Sequence, residues 1–170
     1  MCVTICGNAF YNPFLRKDLP MKLTTIIPVH NAEKYITATL DSVLQQDLGN
    51  PEELEVICVD DASTDASVAL IKDYQQKDSR IRLFLNEKTR FAGACRNKGI
   101  EEAHGDYLHF LDADDLVEKG VYQKYLSIAE QADADMVKGC AVCFDNETGE
   151  LSDTPLLHCL MCPLSASTRF

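Results

Sequence analysis

Four short apolar runs, each closing on a polar cluster and each followed by a segment with helical spacing, dictate the architecture of this chain. The runs are Leu23 to Val29, Leu54 to Val59, Ile81 to Leu85 and Tyr107 to Leu111. They have strand length, and their nearly continuous apolar content suits strands covered on both faces. Between them, apolar residues recur at the spacing of a helix: Ile36, Leu40, Val43 and Leu44, then Val68, Ile71 and Tyr74. Ala92, Cys95, Gly99, Ile100 and Ala103 form a third stripe, whose small residues permit close approach to a sheet. This alternation predicts a three-layer α/β/α sandwich on a mainly parallel sheet. Asn31 is placed to cap the first helix, Ser63 or Thr64 the second, and Gly105 to stop the third. Further on, Val121, Tyr122, Tyr125, Ile128 and Ala129 mark a fourth helix, and a fifth strand is expected from about Asp135 to Phe144, before a turn at Asn146 to Gly149.

The 170 residues suffice for one ordinary domain, expected over residues 21–150, with residues 1–20 as an extension without order and 151–170 as an irregular tail. A net charge of −11 argues against nucleic acid as a partner, because phosphate backbones require clustered Lys and Arg. No apolar stretch approaches the roughly 20 residues needed to cross a bilayer, and the N-terminal stretch lacks the pattern of a secretory leader, so a cytoplasmic protein is expected. Of eight cysteines, Cys140-x2-Cys143 and Cys159-x2-Cys162 have the spacing of a zinc ribbon. Cys140 and Cys143 fall in a strand pattern, however, and a strand sends residues three apart to opposite faces, so free thiols are expected instead. Cys58 and Cys95 sit on apolar faces and read as core.

In a parallel sheet all strands end at one edge, where ligands bind. That edge would gather Pro28-Val-His-Asn31, Asp60-Asp61 and Asp112-Ala113-Asp114-Asp115. The last cluster places three carboxylates at the mouth of a buried strand. Such crowding is repulsive unless a cation intervenes, and an all-oxygen ligand set favours a hard ion, Mg²⁺ or Mn²⁺. Taken alone, the cluster also reads as a solvated acidic turn with Asp115 capping the next helix. An acidic chain that binds a phosphorylated ligand needs such a metal or local cations.

Thr25-Ile-Ile-Pro-Val-His-Asn31, Val59-Asp-Asp-Ala-Ser-Thr-Asp65, Gly93-Ala-Cys-Arg-Asn-Lys-Gly99 and Phe110-Leu-Asp-Ala-Asp-Asp115 together resemble the ordered signatures of family-two glycosyltransferases, over residues 22 to about 148. The resemblance implies the GT-A fold, a nucleotide-sugar donor with UDP as the usual nucleotide, a divalent cation, and inversion at the anomeric carbon. It places Pro28, Val29, Asn31 and Glu33 around the nucleoside and Asp60 or Asp61 on the base. Asp112 would lie near ribose and metal, and Asp114 would hold the cation with help from Asp115. Arg90 would approach the nucleotide, and Arg96 and Asn97 belong to the adjoining signature. Each has a plainer explanation: a loop charge for Arg90, helix packing or capping for Arg96 and Asn97, and a first-turn helix position for Asp65. His30 and Glu33 are open in the same way.

The resemblance also implies direct displacement by an acceptor hydroxyl, on a glycan or a lipid-linked acceptor at the cytoplasmic membrane face, with peripheral association. The carboxylate base of the family lies well downstream of the D-x-D signature, and Asp145, Glu147, Glu150 and Asp153 read as surface residues. Weak or absent transfer is therefore expected of this chain alone, and a non-catalytic nucleotide-sugar-binding fragment or partner-dependent module is the alternative. A dinucleotide-binding oxidoreductase would need a G-x-G-x-x-G turn after the first strand, where Pro28-Val-His-Asn31 stands. A phosphate-receiving signalling domain leaves the third and fourth signatures unexplained.

Overall fold

The computed structural model describes residues 22–139 together with residues 4–7. Four strands run parallel: β2 (Leu23–Val29), β3 (Leu54–Asp60), β4 (Ile81–Leu85) and β5 (Tyr107–Phe110). They are joined by α1 (Ile36–Leu44), α2 (Ser67–Lys77) and α3 (Phe91–Glu102), and followed by α4 (Val121–Ala132). Two short strands complete the sheet, β1 (Thr4–Gly7) and β6 (Met136–Lys138), giving the order β4-β3-β2-β5-β1-β6. β1 pairs antiparallel with both β5 and β6 and lies within the stretch expected to lack order. The zinc-spaced cysteines and the acidic residues 145 to 153 lie outside the described residues, as does the second half of the expected fifth strand. Among the described residues no helix is long and apolar enough to cross a membrane.

Alternation along the strands separates two cores. Leu23, Ile27 and Val29 of β2 share one face with Leu54, Val56 and Cys58 of β3, under Ile36, Leu40 and Val43 of α1, Ile71 of α2 and Tyr122 and Leu126 of α4. Ile26, Ile57, Val59 and Leu108 point the other way and meet Cys95 of α3, with Ile100 and Ala103 beside them. Helices therefore cover both faces, which is why the strands read as continuous apolar runs rather than alternating ones. Cys58 and Cys95 are buried free thiols, and burial pushes Cys58 up to about 12.

Some local expectations change. Asn31 does not cap α1; Tyr35 precedes that helix without a side-chain cap, and Asn31 instead adopts φ 50° in the turn after β2. Ser63 and Thr64 lie ahead of α2, whose start is held by Asp65, accepting from the Ser67 N–H at 3.0 Å. Ile128 of α4 is 41% exposed, whereas Leu126 turns inward. Its position falls outside the arc of that helix that faces the sheet.

Gly99 decides how near α3 approaches. A Cβ there would overlap the Ile26 side chain, which is fully buried and has no room to retreat. Alanine would gain up to about 1 kcal/mol in helix propensity, but overpacking a closed core costs about 1–3 kcal/mol. Gly99→Ala is expected to lower stability, by up to about 2 kcal/mol net. Chemical denaturation with the urea midpoint as readout checks this, an unchanged or higher midpoint going against it.

Candidate functional site

The carboxyl ends of β2, β3 and β5 open into a cavity of about 370 Å³. Pro28, Val29, His30, Asn31 and Ala32 form one wall, and Asp61 lies at the end of the next strand. Ala92, Cys95 and Arg96, one face of α3, oppose Asp112, Ala113 and Asp114, with Tyr35 at the rim. Parallel register makes this inevitable, since Val29 pairs with Asp60 and Ile26 with Phe110.

Two adjacent carboxylates of β3 have separate fates. Asp60 is buried, accepts from the Ser63 N–H at 3.1 Å through Oδ2, leaves Oδ1 without a hydrogen bond, and does not line the cavity. Asp61 lines it, and its carboxylate is already organised: Oδ1 accepts from Asn86 Nδ2 at 3.1 Å and the Arg90 N–H at 2.7 Å, and Oδ2 from the Phe91 N–H at 2.8 Å. Asp61 thus caps the N-terminus of α3 from another element, an arrangement that sequence spacing does not reveal. Burial alone would raise its pKa, but the hydrogen bonds from Arg90, Asn86 and Phe91 outweigh it and hold the carboxyl below the usual range.

The β2 and β3 turns are laced together. His30 Nδ1 donates to the Asp61 carbonyl at 2.8 Å, leaving Nε2 to accept from Asn31 Nδ2 at 3.2 Å. Asn31 Oδ1 accepts from the Thr64 N–H at 2.9 Å. Glu33 is held to the segment ahead of α2 at both ends, its N–H donating to Asp65 Oδ2 at 3.0 Å and its Oε2 accepting from the Ala66 N–H at 3.0 Å. Four described non-glycine residues have positive φ; Asn31, Ala62 and Phe91 border this region, and Asp133 closes α4. Left-handed backbone of that kind costs about 1–3 kcal/mol at each residue and concentrates where geometry serves a site.

A polar stripe on the first helix, not anticipated from sequence, supports the acidic loop. Thr39, Ser42 and Gln46 are buried among the apolar residues of α1 and its end. Thr39 Oγ1 donates to the Ala113 carbonyl at 2.8 Å, Ser42 Oγ accepts from the Val117 N–H at 3.0 Å, and Gln46 Nε2 donates to the Glu118 carbonyl at 3.0 Å. The recognisable signal is polar residues recurring at helical spacing on an otherwise apolar face. A buried relay lies behind the sheet edge, where Thr25 Oγ1 donates to the Tyr122 hydroxyl at 3.0 Å and that hydroxyl meets His109 Nδ1 at 2.7 Å.

The acidic loop has two states of engagement. Asp112 Oδ1 accepts from Arg96 Nη2 at 2.6 Å. Asp114 is exposed and engages no hydrogen-bond or ion-pair partner among the described residues. Partial burial, then the charges of Asp114 and Asp112, push Asp115 up. Among the described residues no three His, Cys, Asp or Glu side chains close around a point as a complete cage. Two carboxylates on one rim suit a hard cation that takes its remaining oxygens from water and a phosphorylated ligand.

Residues 24–160 match the sequence profile of glycosyl transferase family 2. The chain belongs to that family. An uncharacterized glycosyltransferase of Haemophilus influenzae is 37% identical over 122 residues, 72% of this chain and 47% of that protein. S. aureus TarS in complex with UDP-GlcNAc aligns with TM-score 0.64 and 32% identity, over 68% of this chain and 33% of that one. The mannosyltransferase PcManGT from Pyrobaculum calidifontis, in complex with GDP-Man and Mn²⁺, aligns with TM-score 0.54 and 27% identity over 58% of this chain and 29% of that one. The chain spans less than half the length of the curated relatives it matches. The sandwich is thus the GT-A fold of glycosyl transferase family 2.

Of the site residues singled out from the family signatures, Pro28, Val29, Asn31, Asp61, Arg96, Asp112 and Asp114 line one cavity. Asp60, Glu33, Arg90 and Asn97 do not. Glu33 braces the turn ahead of α2, and Arg90 contributes its backbone N–H to Asp61.

Because its folded pKa is depressed below 3.8, Asp61 contributes stability that is complete above its unfolded value of about 4 and fades as pH falls through the lower folded value. Asp61→Asn is expected to cost about 1–3 kcal/mol at pH 7. The gap between variant and parent should close progressively below about pH 4. Urea titrations across pH 2 to 7 check it (roughly the window in which such a carboxylate titrates), a pH-independent gap being the contrary result.

Proposed function

We propose that the cavity binds the nucleoside diphosphate of a sugar donor, a UDP-sugar, for transfer of the sugar to an acceptor hydroxyl with inversion. The observation that carries this reading is the meeting of Asp61, Arg96, Asp112 and Asp114 around one cavity at the strand ends. The UDP-GlcNAc complex of TarS supports the choice of uridine.

In this reading the turn after β2 and Asp61 cradle the nucleoside, with the Asp61 carbonyl and carboxylate already fixed by His30 and α3. Prior fixing lowers the entropy cost of ordering the site on binding. Asp112 and Asp114 would hold a divalent cation, Mn²⁺ or Mg²⁺, which supplies charge neutralisation of the departing diphosphate. The Mn²⁺ complex of PcManGT supports that choice. Arg96 adds a guanidinium on the same side, and Ala92 and Cys95 leave room beside it. The hydroxyl acceptor, on a glycan or lipid carrier, needs a carboxylate base; among the described residues, the carboxylates that line the cavity, Asp61, Asp112 and Asp114, are all assigned to the donor side. Donor binding without transfer is therefore the second reading for this chain. On the family resemblance, this reading puts the work at the cytoplasmic face of a membrane, by peripheral association.

Calorimetric titration of UDP with Mn²⁺ and with chelator tests the donor site. Micromolar-range binding that requires Mn²⁺ is expected, and Asp114→Ala should weaken it at least about tenfold, the loss of one charged ligand being worth on the order of 1.4 kcal/mol or more. UDP binding that ignores both the cation and the substitution would overturn the reading. A radiolabelled-sugar assay addresses transfer separately: this polypeptide alone should show little or none, and Mn²⁺-dependent turnover abolished in Asp114→Ala would restore full catalysis to it.

A further inference from the structure

The cavity is electrostatically ill-suited to the ligand just proposed. Its lining has three carboxylates, Asp61, Asp112 and Asp114, against one guanidinium, Arg96. A diphosphate entering that field meets a net negative wall. The guanidinium that would attract it is occupied, since Arg96 Nη2 lies 2.6 Å from Asp112 Oδ1, a short charge-assisted contact. Among the described residues that line the cavity, Arg96 is the only Lys or Arg.

We infer that Arg96 is an internal counter-ion that competes with the divalent cation for Asp112 and couples cation binding to donor binding. This rests on the donor-site reading above. In the ligand-free cavity the guanidinium takes the place of part of the cation's charge and prevents Asp112, Asp114 and Asp115 from repelling one another unopposed. When Asp112 serves a divalent ion, the same guanidinium is repelled by that ion and is released toward the diphosphate, the nearest new negative charge. The side chain starts one helical turn after Ala92, on the face of α3 that borders the cavity, so the exchange needs a change of rotamer and no movement of the helix. The α3 N-terminus stays fixed meanwhile by Asp61, which accepts from the Arg90 and Phe91 N–H groups. The consequence is reciprocal: donor raises cation affinity by the factor by which cation raises donor affinity. Arg96 is in this account a positioning residue that sets the coupling.

Two titrations of the whole chain test it, with free Mn²⁺ followed by electron paramagnetic resonance and UDP as the nucleotide probe. In the parent chain, saturating UDP should tighten Mn²⁺ binding substantially. Arg96→Gln should bind Mn²⁺ up to about fivefold more tightly without UDP, as expected for losing one partly exposed competing ion pair of up to roughly 1 kcal/mol. The same variant should bind UDP more weakly at saturating Mn²⁺, so that the enhancement by UDP shrinks. Arg96→Lys, which keeps the charge and most of the volume, should retain at least half of the parent's coupling on a logarithmic scale, and it guards against a Gln variant that fails to fold. Lys98→Gln, on the same helix but paired with Glu102 away from the cavity, should change neither titration. Unchanged Mn²⁺ affinity in folded Arg96→Gln, or coupling lost equally in Arg96→Lys, overturns the inference while leaving the donor site intact. A parent chain that binds neither Mn²⁺ nor UDP would overturn the donor-site reading itself.

Discussion

The parallel ladder around β2 is the constraint from which the site follows. β2 is hydrogen-bonded to β3 on one side and β5 on the other, in a register that sets Val29 beside Asp60 and Ile26 beside Phe110. Parallel pairing forces all three chains to leave the sheet at one edge, so three polar turns distant in sequence become neighbours. Helices on both faces bury most of β2 and β3, and the few polar groups inside the sheet, such as Thr25 and His109, are hydrogen-bonded to the Tyr122 hydroxyl, so the open polar groups collect at the strand ends. The chemistry is concentrated at one edge because the rest of each strand is committed to the core.

Holding that edge in shape is largely the work of hydrogen bonds between turns. Asp61 ties the end of β3 to the start of α3, Asn31 and Glu33 tie the β2 turn to the segment ahead of α2, and Thr39, Ser42 and Gln46 tie α1 to the acidic loop. Each bond satisfies a backbone group, and the Ala113 carbonyl and Val117 N–H would otherwise be buried without a partner. The positive φ at Asn31 and Phe91 is held in place by bonds of the same set. Arg96 then balances part of the negative charge those turns bring together. The cavity at the strand ends of this glycosyl transferase family 2 chain is thus a preorganised cradle whose described lining carries more carboxylates than cations.

Much of this was legible from residues alone. Apolar runs of strand length separated by helical stripes suffice for the sandwich, because burial on two faces leaves few other solutions. The ordered signatures suffice for the family, and the small residue at position 99 announced a close contact that Ile26 supplies. Caps were less legible. Asn31 has the composition of a helix cap and serves a turn instead, since a side chain with several acceptors and donors takes whichever backbone partner the fold brings near. The strand at Thr4–Gly7 was likewise invisible, as its partners lie about a hundred or more residues away and four residues carry no period.

What the amino-acid order determined by itself is the set of elements and the kinds of group at their ends, because periodicity and composition act over a few neighbouring residues. Only tertiary structure decided which of two adjacent aspartates, Asp60 or Asp61, faces the cavity, and that Asp61 also caps a helix thirty residues on. It likewise decided that Arg96 rests on Asp112 while Asp114 is exposed and meets no partner among the described residues. Those outcomes depend on strand register, the rotation of each helix and the direction of each side chain, and these are set by the whole packed core at once rather than by any local stretch of chain.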